Sequence, residues 1–450
     1  MSSKISPRDN PAPHVMIAGA GLGGILLGVL LERIGIPYQI FERSASLRPL
    51  GSAMGFGANI LPVFDQLGIL DDLLKVSYPC HSVDMFDPDL LPLGGFEFDQ
   101  YKKRTGYDTI MFPRPAVHSL LLSQLPPEKV KLGKRVLSMQ QDDDGVKIQC
   151  SDGTAYEGDI LVGADGAYSA VRQGLYKLVS ANGNLPASDR EGLSTGHICM
   201  VGTTHSLDPE KYPALKDEFS HCKRIIGRPG SKYSWSVVTV PGNKVCWALI
   251  AQLDTVEAKS VVLMNSEWGP ESNAAMIKDC HDFPSPLGGT MGELIDATPE
   301  DMISKVFLED KLFDTWNFGR TVLIGDGAVN AFQDAVILAN CIYEMSSVTH
   351  ENISAALKDY RSQRYPHAKY EIDKTRVMGK MLYGQTEQFL KDASYRPQCN
   401  FLPHMKNRGS VPVLEQKRSE KYNQKQEPEE QQQQQQQQNE QGNDRTTVVV

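Results

Sequence analysis

Three glycines near the start of the chain have a spacing that can bind the phosphates of a dinucleotide. Gly19, Gly21 and Gly24 follow the apolar run Val15–Ala18 and lead into a second apolar stretch. In a strand–turn–helix corner, the first glycine permits the tight turn, the second lets the backbone approach a pyrophosphate, and the third lets helix and strand pack closely. The N-terminus of the following helix offers N–H groups and partial positive charge to phosphates. The spacing therefore predicts a dinucleotide-binding corner.

An acidic residue at the end of the next predicted strand indicates which kind of dinucleotide the corner would bind. The segment 36–41 (IPYQIF) has the composition of a strand, and Glu42 follows it directly. A carboxylate at this place can accept hydrogen bonds from both ribose hydroxyls of an adenosine. It also repels the 2′-phosphate of NADP, so we expect an unphosphorylated ribose, as in FAD or NAD. The alternative is a structural glycine turn that binds no ligand.

A second predicted corner carries four polar residues at defined spacings. The apolar run 160–162 leads into a tight turn, and around it stand Asp159, Asp165, Ser169 and Arg172. The pattern again predicts a strand, a turn and a helix, here with a carboxylate at the tip. A purely structural corner leaves the spacing of these four residues unexplained.

These residues resemble a motif of a known family. DILVGADGAYSAVR, residues 159–172, is similar to the D-x-x-x-G-A-D-G-x-x-S-x-V-R motif of single-component FAD-dependent monooxygenases. The similar group is the aromatic hydroxylases, of salicylate-hydroxylase-like and para-hydroxybenzoate-hydroxylase-like type, and the resemblance covers most of residues 14–395. In that family the motif serves FAD and the transient docking of NAD(P)H, which implies a cofactor role for Asp165. The sequence holds no second G-x-G-x-x-G, which weighs against flavoenzymes with two Rossmann domains.

Two further segments resemble the same family. The stretch 48–69 is similar to its loop and helix after the ribose-binding acid, which implies that Gly55 lies near the cofactor. MFPRPAVHSLL, residues 111–121, resembles the segment whose arginine contacts FAD, which implies that role for Arg114. Val117 stands where the family usually has leucine. The alternative for Arg114 is a surface arginine at a helix start.

A third motif of the family is present with its middle missing. In the segment 321–340, Gly325 and Asp326 match the start of G-D-A-x-H-x-x-x-P-x-x-G-x-G-x-N-x-x-x-x-D-A, and residues 327–330 and 334–335 match its end. Against that pattern the gap is roughly eleven residues. Everything around the gap is in register, which favours an excision. The resemblance implies that Asp326 binds the ribityl–pyrophosphate region of FAD.

The missing segment bears on how the flavin ring is held. In the family it carries a proline beside the ring, and its glycine-rich end brings a helix N-terminus to the pyrimidine edge of the flavin. Here the helix predicted from Ala328 is separated from Asp326 by Gly327 alone. Two interpretations are open: a gene-model or splice form that lacks a short segment, or a genuine protein with weakened or altered flavin binding.

The resemblance implies that the protein is an enzyme, an FAD-dependent monooxygenase. Such an enzyme uses NAD(P)H and O₂ to hydroxylate or epoxidise a small organic substrate, and an aromatic substrate is the leading interpretation. The cofactor carries the redox chemistry, and the protein supplies a dry cavity and a base for a phenol. The cavity wall is predicted on the sheet of 193–253. Its polar or aromatic candidates are Tyr233, Trp235, Trp247, His197 and His221. Each is more simply explained as a packed or surface strand residue, so the catalytic side chain is left unassigned.

Two other classes remain open. One is a non-catalytic relative that is disabled in flavin binding at the corner after Asp326. The other is different chemistry on the same fold, a flavin halogenase or a reductase, although the halogenase signature W-x-W-x-I-P is absent. Bound flavin distinguishes the non-catalytic relative from an active enzyme, and substrate-stimulated oxidation of NAD(P)H distinguishes a monooxygenase from a reductase.

Composition limits the partners and the compartment. The 450 residues are 40% hydrophobic and 22% charged with a net charge of −9, which argues against nucleic acid or an anionic membrane surface as a main partner. Residues 15–31 carry no charge, but their glycine spacing is better explained by the dinucleotide corner, so no membrane or targeting segment is predicted. Eight scattered cysteines without C-x-x-C favour reduced thiols in the cytoplasm and no metal site.

The predicted fold is α/β: a Rossmann-type FAD-binding domain with an inserted mixed β-sheet substrate domain and C-terminal helices. A hairpin is expected around the turn 241–243. The Gln-rich residues 408–450 carry too few apolar side chains for burial to offset the entropy that the chain would lose on ordering. The predicted parts are a disordered lead-in at 1–13, the main FAD-binding part at 14–190, the substrate-domain sheet at 191–300, a return to the FAD-binding domain at 301–345, C-terminal helices at 346–407, and a disordered Gln-rich tail at 408–450.

Overall fold

The computed structural model describes residues 12–47, 51–253, 273–325 and 327–385. The tail prediction and Asp326 therefore lie outside the described residues, as does nearly all of the predicted lead-in. The strands, in chain order, are β1 (Val15–Ala18), β2 (Tyr38–Phe41), β3 (Ala53–Phe56), β4 (Tyr78–Pro79), β5 (Ser82–Phe86), β6 (Pro92–Glu97), β7 (Ile110–Pro113), β8 (Val130–Lys131), β9 (Val136–Gln141), β10 (Val146–Cys150), β11 (Ala155–Gly158), β12 (Ile160–Gly163), β13 (Ser194–Thr203), β14 (Cys222–Ile225), β15 (Tyr233–Val240), β16 (Lys244–Gln252), β17 (Ser304–Asp310), β18 (Asn317–Phe318) and β19 (Thr321–Leu323).

The α-helices, in the same order, are α1 (Leu22–Arg33), α2 (Leu61–Gln66), α3 (Leu70–Lys75), α4 (Asp99–Thr105), α5 (Arg114–Leu122), α6 (Ala170–Ala181), α7 (Ala187–Arg190), α8 (Ala274–Cys280), α9 (Met291–Asp296), α10 (Ala328–Tyr343) and α11 (His350–Met381). Single 3₁₀ turns lie at Pro127–Lys129, Pro213–Lys216 and Glu300–Met302. The mixture of helices and strands is the α/β class that the sequence predicts.

A six-stranded sheet in the order β18-β19-β12-β1-β2-β8 supports the two predicted corners. Its central strand β1 is apolar throughout and fully buried, as expected for a parallel strand covered on both faces. It pairs in parallel with β2 on one side and with β12 on the other. The carboxyl ends of these strands therefore meet at one edge, where both predicted corners begin.

Helix α1 explains the uncharged stretch near the N-terminus. Its first ten residues, from Leu22 to Leu31, are buried. It packs in the main hydrophobic core together with β1 and α10. The stretch is therefore a helix of the hydrophobic core that follows the first predicted corner. No helix in the described ranges combines the length and the apolar character needed to cross a bilayer.

A second, seven-stranded sheet has the order β17-β13-β16-β15-β14-β5-β6. The predicted hairpin is confirmed: β15 and β16 pair antiparallel, and Gly242 and Asn243 take positive φ angles of 85° and 55° in the turn. The sheet is mixed, because β14 pairs with β5 in parallel. Strands β5, β6 and β17 lie outside the range 191–300 that was assigned to this sheet, so it is assembled from three parts of the chain.

The two faces of the large sheet have different neighbours. One face, which we call the helix-covered face, carries Trp235, Trp247 and Leu249 beneath residues of α8 and α9 such as Met291. The opposite face, which we call the β7-side face, carries Val238 and Cys246 packed near Ala53 of β3 and Met111 of β7. The alternation of side chains along a strand produces this division. In the described ranges the β7-side face thus lies next to the start of β3, where the Arg114 N–H donates to the Ser52 carbonyl.

The C-terminal helix α11 is a single helix of 32 residues that spans both regions. The Thr349 side chain caps its first turn by accepting a hydrogen bond from the Asn352 N–H. Its buried stripe consists of Ile353, Leu357, Tyr360, Arg364 and Ala368. At its other end Met381 packs with Met85 and Ile226 beside the large sheet.

Candidate cofactor site

The three glycines of the first corner have separate roles that the geometry defines. Gly19 has a φ of 107°, and a Cβ placed there would lie 2.3 Å from the Ala164 carbonyl oxygen of the second corner. A Cβ at Gly24 would lie 2.1 Å from the Gly19 carbonyl oxygen. At Gly21 the same atom would meet nothing within 4 Å. Gly19 and Gly24 therefore serve close packing, whereas Gly21 faces open space.

That open space is a pocket at the start of α1. It has a volume of about 190 Å³ and is lined by Gly21, Leu22, Gly23, Gly24, Arg114, Ala164, Ile324, Gly325 and Ala331. The structure thus brings the predicted residues Gly21, Gly24 and Arg114 together at one pocket. The second corner contributes Ala164 to the same pocket, and the third contributes Gly325. The first N–H groups of a helix have no intrahelical partner, so the start of α1 presents donors and partial positive charge to this pocket.

Glu42 stands at the end of β2, beside the first corner. One carboxylate oxygen accepts a hydrogen bond from the Ala20 N–H at 2.8 Å, and the other accepts one from the Ser44 N–H at 2.8 Å. These contacts fix the carboxylate, and each oxygen retains a further lone pair for a ribose hydroxyl. His118 contacts the same turn: its Nε2 donates to the Ala20 carbonyl at 3.0 Å. Burial, with a smaller contribution from the Arg114 charge, lowers the pKa of His118.

Arg114 is the first residue of α5 and lies against the segment before β3. Its N–H donates to the Ser52 carbonyl at 2.9 Å. Gly51, with a φ of 131°, leaves room for the arginine, since a Cβ there would lie 2.8 Å from the Arg114 Cδ. Gly51 was not among the predicted residues, although its place in the same matched segment was a signal for it. Gly55 packs against the Met111 sulfur instead of lining the pocket, and its cofactor role stays a prediction.

Asp165 caps the helix that follows the second corner. Its carboxylate accepts hydrogen bonds from the Ser169 hydroxyl and from the Ala170 N–H, the latter at 2.7 Å. The Ser169 hydroxyl oxygen accepts from the Arg172 N–H at 2.9 Å. The Asp159 carboxylate accepts from the His14 N–H at 2.7 Å. The spacing of this motif thus builds a helix cap, and a direct cofactor role for Asp165 stays a prediction.

The third corner is held by residues that sequence reasoning missed. The Gly325 N–H donates to one Asp334 oxygen at 2.8 Å, and Arg364 Nε of α11 donates to the other at 2.6 Å. Both charged side chains are only 1% exposed. Arg364 Nη2 also donates to the Asn330 side-chain oxygen at 3.4 Å. An arginine on the otherwise apolar stripe of α11 was the available signal.

Helix α10 begins close to α1. A Cβ at Gly23 would lie 2.7 Å from the Ala331 Cβ, so the two helices touch at the pocket. With the two helices in contact, the pocket volume of about 190 Å³ is smaller than the roughly 300–1,000 Å³ of typical ligand sites. The space therefore accommodates the pyrophosphate region of a dinucleotide rather than all of it.

Three of the aromatic candidates on the large sheet do not face this region. Trp235 Nε1 donates to the Pro284 carbonyl at 2.9 Å, Trp247 Nε1 to the Thr298 hydroxyl at 2.9 Å, and Tyr233 donates to Asp279 at 2.7 Å. They belong to the helix-covered face, so the expectation that they wall the cavity is wrong. His197 stacks on Tyr383, with ring centroids 5.3 Å apart, and burial lowers its pKa. His221 Nε2 lies 2.8 Å from the Asp217 carboxylate.

Comparison with known proteins agrees with this geometry. The FAD binding domain family matches residues 13–185. FAD-dependent monooxygenase ausM of Penicillium brasilianum is 28% identical over 408 residues, which cover 83% of this chain and 80% of the relative. FAD-dependent monooxygenase atmM of Aspergillus flavus is 26% identical over 390 residues, covering 79% of this chain and 76% of the relative.

A solved structure shows the same fold at low identity. Klebsiella pneumoniae HpxO complexed with FAD and uric acid superposes with a TM-score of 0.66 at 22% identity, and the match covers 85% of this chain and 92% of that chain. The chain is therefore similar over most of its length to FAD-dependent monooxygenases, and the comparisons support an oxidoreductase of the aromatic-hydroxylase-like type. The residues present fit the cofactor, because Gly21 leaves an open cradle at a helix N-terminus and Glu42 is fixed beside it.

Proposed function

We propose that the chain uses NAD(P)H and O₂ to hydroxylate or epoxidise a small organic molecule, with FAD bound at the first corner. The observation that carries this proposal is the pocket at the start of α1, where the open position at Gly21 adjoins Arg114. When bound, FAD supplies the redox chemistry that moves electrons from the nicotinamide to O₂. We propose that residues 14–190 and 301–345 hold the cofactor and that the large sheet holds the substrate.

The protein residues have distinct tasks in this proposal. The N–H groups at the start of α1 and the Arg114 guanidinium bind the phosphates, where charge-assisted hydrogen bonds are strongest. Glu42 binds the adenosine ribose. Packing of Val238 and Cys246 near Ala53 excludes water between the cofactor region and the large sheet. Asp326 and Asp165 remain proposed cofactor contacts.

The compartment and the substrate remain proposals as well. All the cysteines in the described ranges are free thiols, and all are buried, which supports a reducing compartment such as the cytoplasm. The β7-side face of the large sheet supports an organic substrate, because it is the face that adjoins the cofactor region. The same fold with weakened flavin binding is the alternative, and the shortened corner after Gly325 is the reason to test it.

The test is the visible absorbance spectrum of the purified chain, followed by oxidation of NADH and NADPH with O₂ uptake. We expect the yellow spectrum of bound FAD and oxidation of one of the nicotinamides that a substrate stimulates. A second protein carries a segment of roughly eleven residues restored after Asp326. A colourless chain that binds FAD only after restoration would contradict the proposal for the chain as it stands. Oxidation that no organic compound stimulates would favour a reductase.

A further inference from the structure

The large sheet has two edge strands, β17 and β6, that differ in their capacity to pair with a further strand. β6 begins at Pro92 and contains Gly94 and Gly95, and proline and glycine both weaken strand pairing. β17 has neither residue type over its seven positions. Among the described residues β17 pairs with β13 alone, so its outer edge presents unpaired backbone N–H and C=O groups. This edge is therefore a surface that another strand can join.

One side of β17 is apolar and exposed. Val306 and Leu308 are 43% and 41% exposed, and residues two apart in a strand lie on the same face. The register places them opposite Cys199 and His197 of β13, on the β7-side face. A strand added at the edge would cover both side chains, and apolar pairs that face each other across two strands stabilise the pairing.

The other side of β17 carries a buried cation. Lys305 is 8% exposed and lies opposite Met200 of β13, on the helix-covered face. Burial lowers the pKa of Lys305, because removal from water disfavours the charged form. An inward-pointing charge on an edge strand opposes unspecific pairing with other chains. A strand that joins here must bring a carboxylate opposite Lys305, since it would otherwise cover the cation further without compensation.

The sequence of β17, SKVFLED, is complementary to itself. When two copies pair antiparallel about Phe307, Lys305 of one copy is opposite Glu309 of the other, and Val306 is opposite Leu308. The twofold symmetry repeats each of these pairs in the second half of the interface. Opposite charges and apolar residues that face each other are the stabilising combinations between neighbouring strands. A second copy of β17 therefore brings the carboxylate that the edge requires.

Other registers of the same two strands lack this complementarity. A shift by one residue would join unlike faces of the two sheets, because side chains alternate along each strand. A shift by two residues would place Lys305 opposite Phe307 in one direction and opposite Lys311 in the other. The sequence thus favours the register centred on Phe307.

We propose that the outer edge of β17 binds a second copy of this chain, antiparallel and in the register centred on Phe307. The large sheets of the two copies then form one continuous sheet across a twofold axis, and both copies use the same surface. Lys305 and Glu309 select the partner, and Val306 and Leu308 supply the apolar contact. This assembly requires neither FAD nor the substrate, so it is tested independently of the proposed function.

The experiment is sedimentation equilibrium of the purified full chain at concentrations from about 1 to about 100 µM, the range in which a weak dimer dissociates. We expect the mean mass to rise with concentration from that of one chain to that of two. Lys305→Glu and Glu309→Lys should each raise the Kd of the dimer at least about tenfold, because each places like charges opposite one another.

The double variant with both changes restores the two charge pairs in exchanged form. Its Kd should return to within about threefold of the unmodified value, as expected for two residues that contact each other. Within one copy Lys305 and Glu309 are about 13 Å apart along the strand, so this recovery reports a contact between copies.

A second pair of variants avoids the buried position, where a changed charge can prevent folding. Val306→Glu acts at an exposed position and places a carboxylate opposite Leu308 of the other copy, so it should raise the Kd at least about tenfold. Leu93→Glu is the matched control, because Leu93 is 37% exposed on the other edge strand, β6. It should leave the Kd unchanged.

The outcomes separate this inference from the proposed function. The mass of a single chain at every concentration overturns the inference. So does a dimer whose Kd is insensitive to Val306→Glu or equally sensitive to Leu93→Glu, and so does a folded double variant that does not recover dimerisation. Bound FAD is measured on the same preparations, and its absence from the unmodified chain contradicts the proposed function alone. An unchanged thermal midpoint in Val306→Glu is required, so that a folding defect is not mistaken for lost pairing.

Discussion

The first and third corners have the same strand–turn–helix form, but the backbone N–H groups of their turns are used differently. After β1, the turn of Gly19 and Gly21 leaves open space in front of α1. After β19, the Gly325 N–H is occupied by the chain's own Asp334 carboxylate. The first corner therefore has donors available for a ligand, whereas the third is closed by an internal ion pair.

This difference teaches that a strand–turn–helix corner can be fixed by side chains of a distant helix instead of by its own glycines. Asp334 is held by Arg364 of α11, and the Tyr360 hydroxyl of the same helix donates to the Leu323 carbonyl at 3.1 Å. Helix α11 thus secures both the end of β19 and the start of α10. The stability of the third corner depends on a distant helix, and that of the first depends on its own glycines.

The largest effect is expected from breaking the ion pair that closes the third corner. Arg364→Met removes the charge from a side chain that is 1% exposed and leaves Asp334 buried without its partner. Breaking one member of a buried pair costs about 3–5 kcal/mol of the free energy of unfolding. Urea unfolding followed by circular dichroism measures the change.

The control for Arg364→Met is an ion pair on the same helix at the surface. Lys369 and Asp373 lie 3.4 Å apart, and both side chains are more than half exposed. Lys369→Met should change the free energy of unfolding by less than about 1 kcal/mol. Similar losses in the two variants would show that Arg364 does not secure the corner.

Two glycine substitutions sharpen the comparison at the first corner. Gly24→Ala puts a Cβ 2.1 Å from the Gly19 carbonyl oxygen, so it should destabilise the fold by about 1–3 kcal/mol. Gly21→Ala meets nothing within 4 Å and has an ordinary φ of −72°, so the fold should tolerate it. Its methyl group instead occupies the space of the pyrophosphate and should weaken FAD binding at least about tenfold, or about 1.4 kcal/mol.

Thermal unfolding and FAD titration, monitored by flavin fluorescence, separate these two effects. We expect Gly24→Ala to lower the unfolding midpoint of the FAD-free protein, and Gly21→Ala to leave that midpoint unchanged while raising the Kd for FAD. The division of roles between the two glycines would be wrong if Gly21→Ala bound FAD as tightly as the unmodified chain.

The parts of the fold that were predictable are those specified by local sequence. The glycine spacing after Val15–Ala18 defines a corner because backbone sterics at Gly19 and Gly24 admit no side chain. The hairpin of β15 and β16 follows from apolar runs around a Gly-Asn turn. These features need only neighbouring residues, and the structure confirms them.

The parts that were not predictable depend on contacts distant in sequence. The faces of the large sheet could not be assigned, because β15 and β16 are apolar on both, and the cover of α8 and α9 decides which face buries Trp235 and Trp247. Arg364 contacts Asp334 across 30 residues of sequence. The motif around Asp165 matched the family, but its spacing could not show that the carboxylate caps its own helix.

The smallest expected effect is a pH dependence confined to the first corner. His118 Nε2 must carry the proton that it donates to the Ala20 carbonyl, and burial lowers the pKa of this side chain in the folded protein. Between that lowered pKa and the unfolded value of about 6.5, the unfolded state binds more protons, so stability rises with pH and falls as the solution is acidified through this window. His118→Gln retains an N–H donor without a titrating ring, and should flatten the dependence by about 1 kcal/mol or less between pH 7.5 and pH 5. Urea unfolding across that range measures it, with the exposed His205→Gln as control. If His118→Gln left the pH dependence of the free energy of unfolding unchanged, proton uptake by another group would cause it. The first corner would then be no more sensitive to acid than the third.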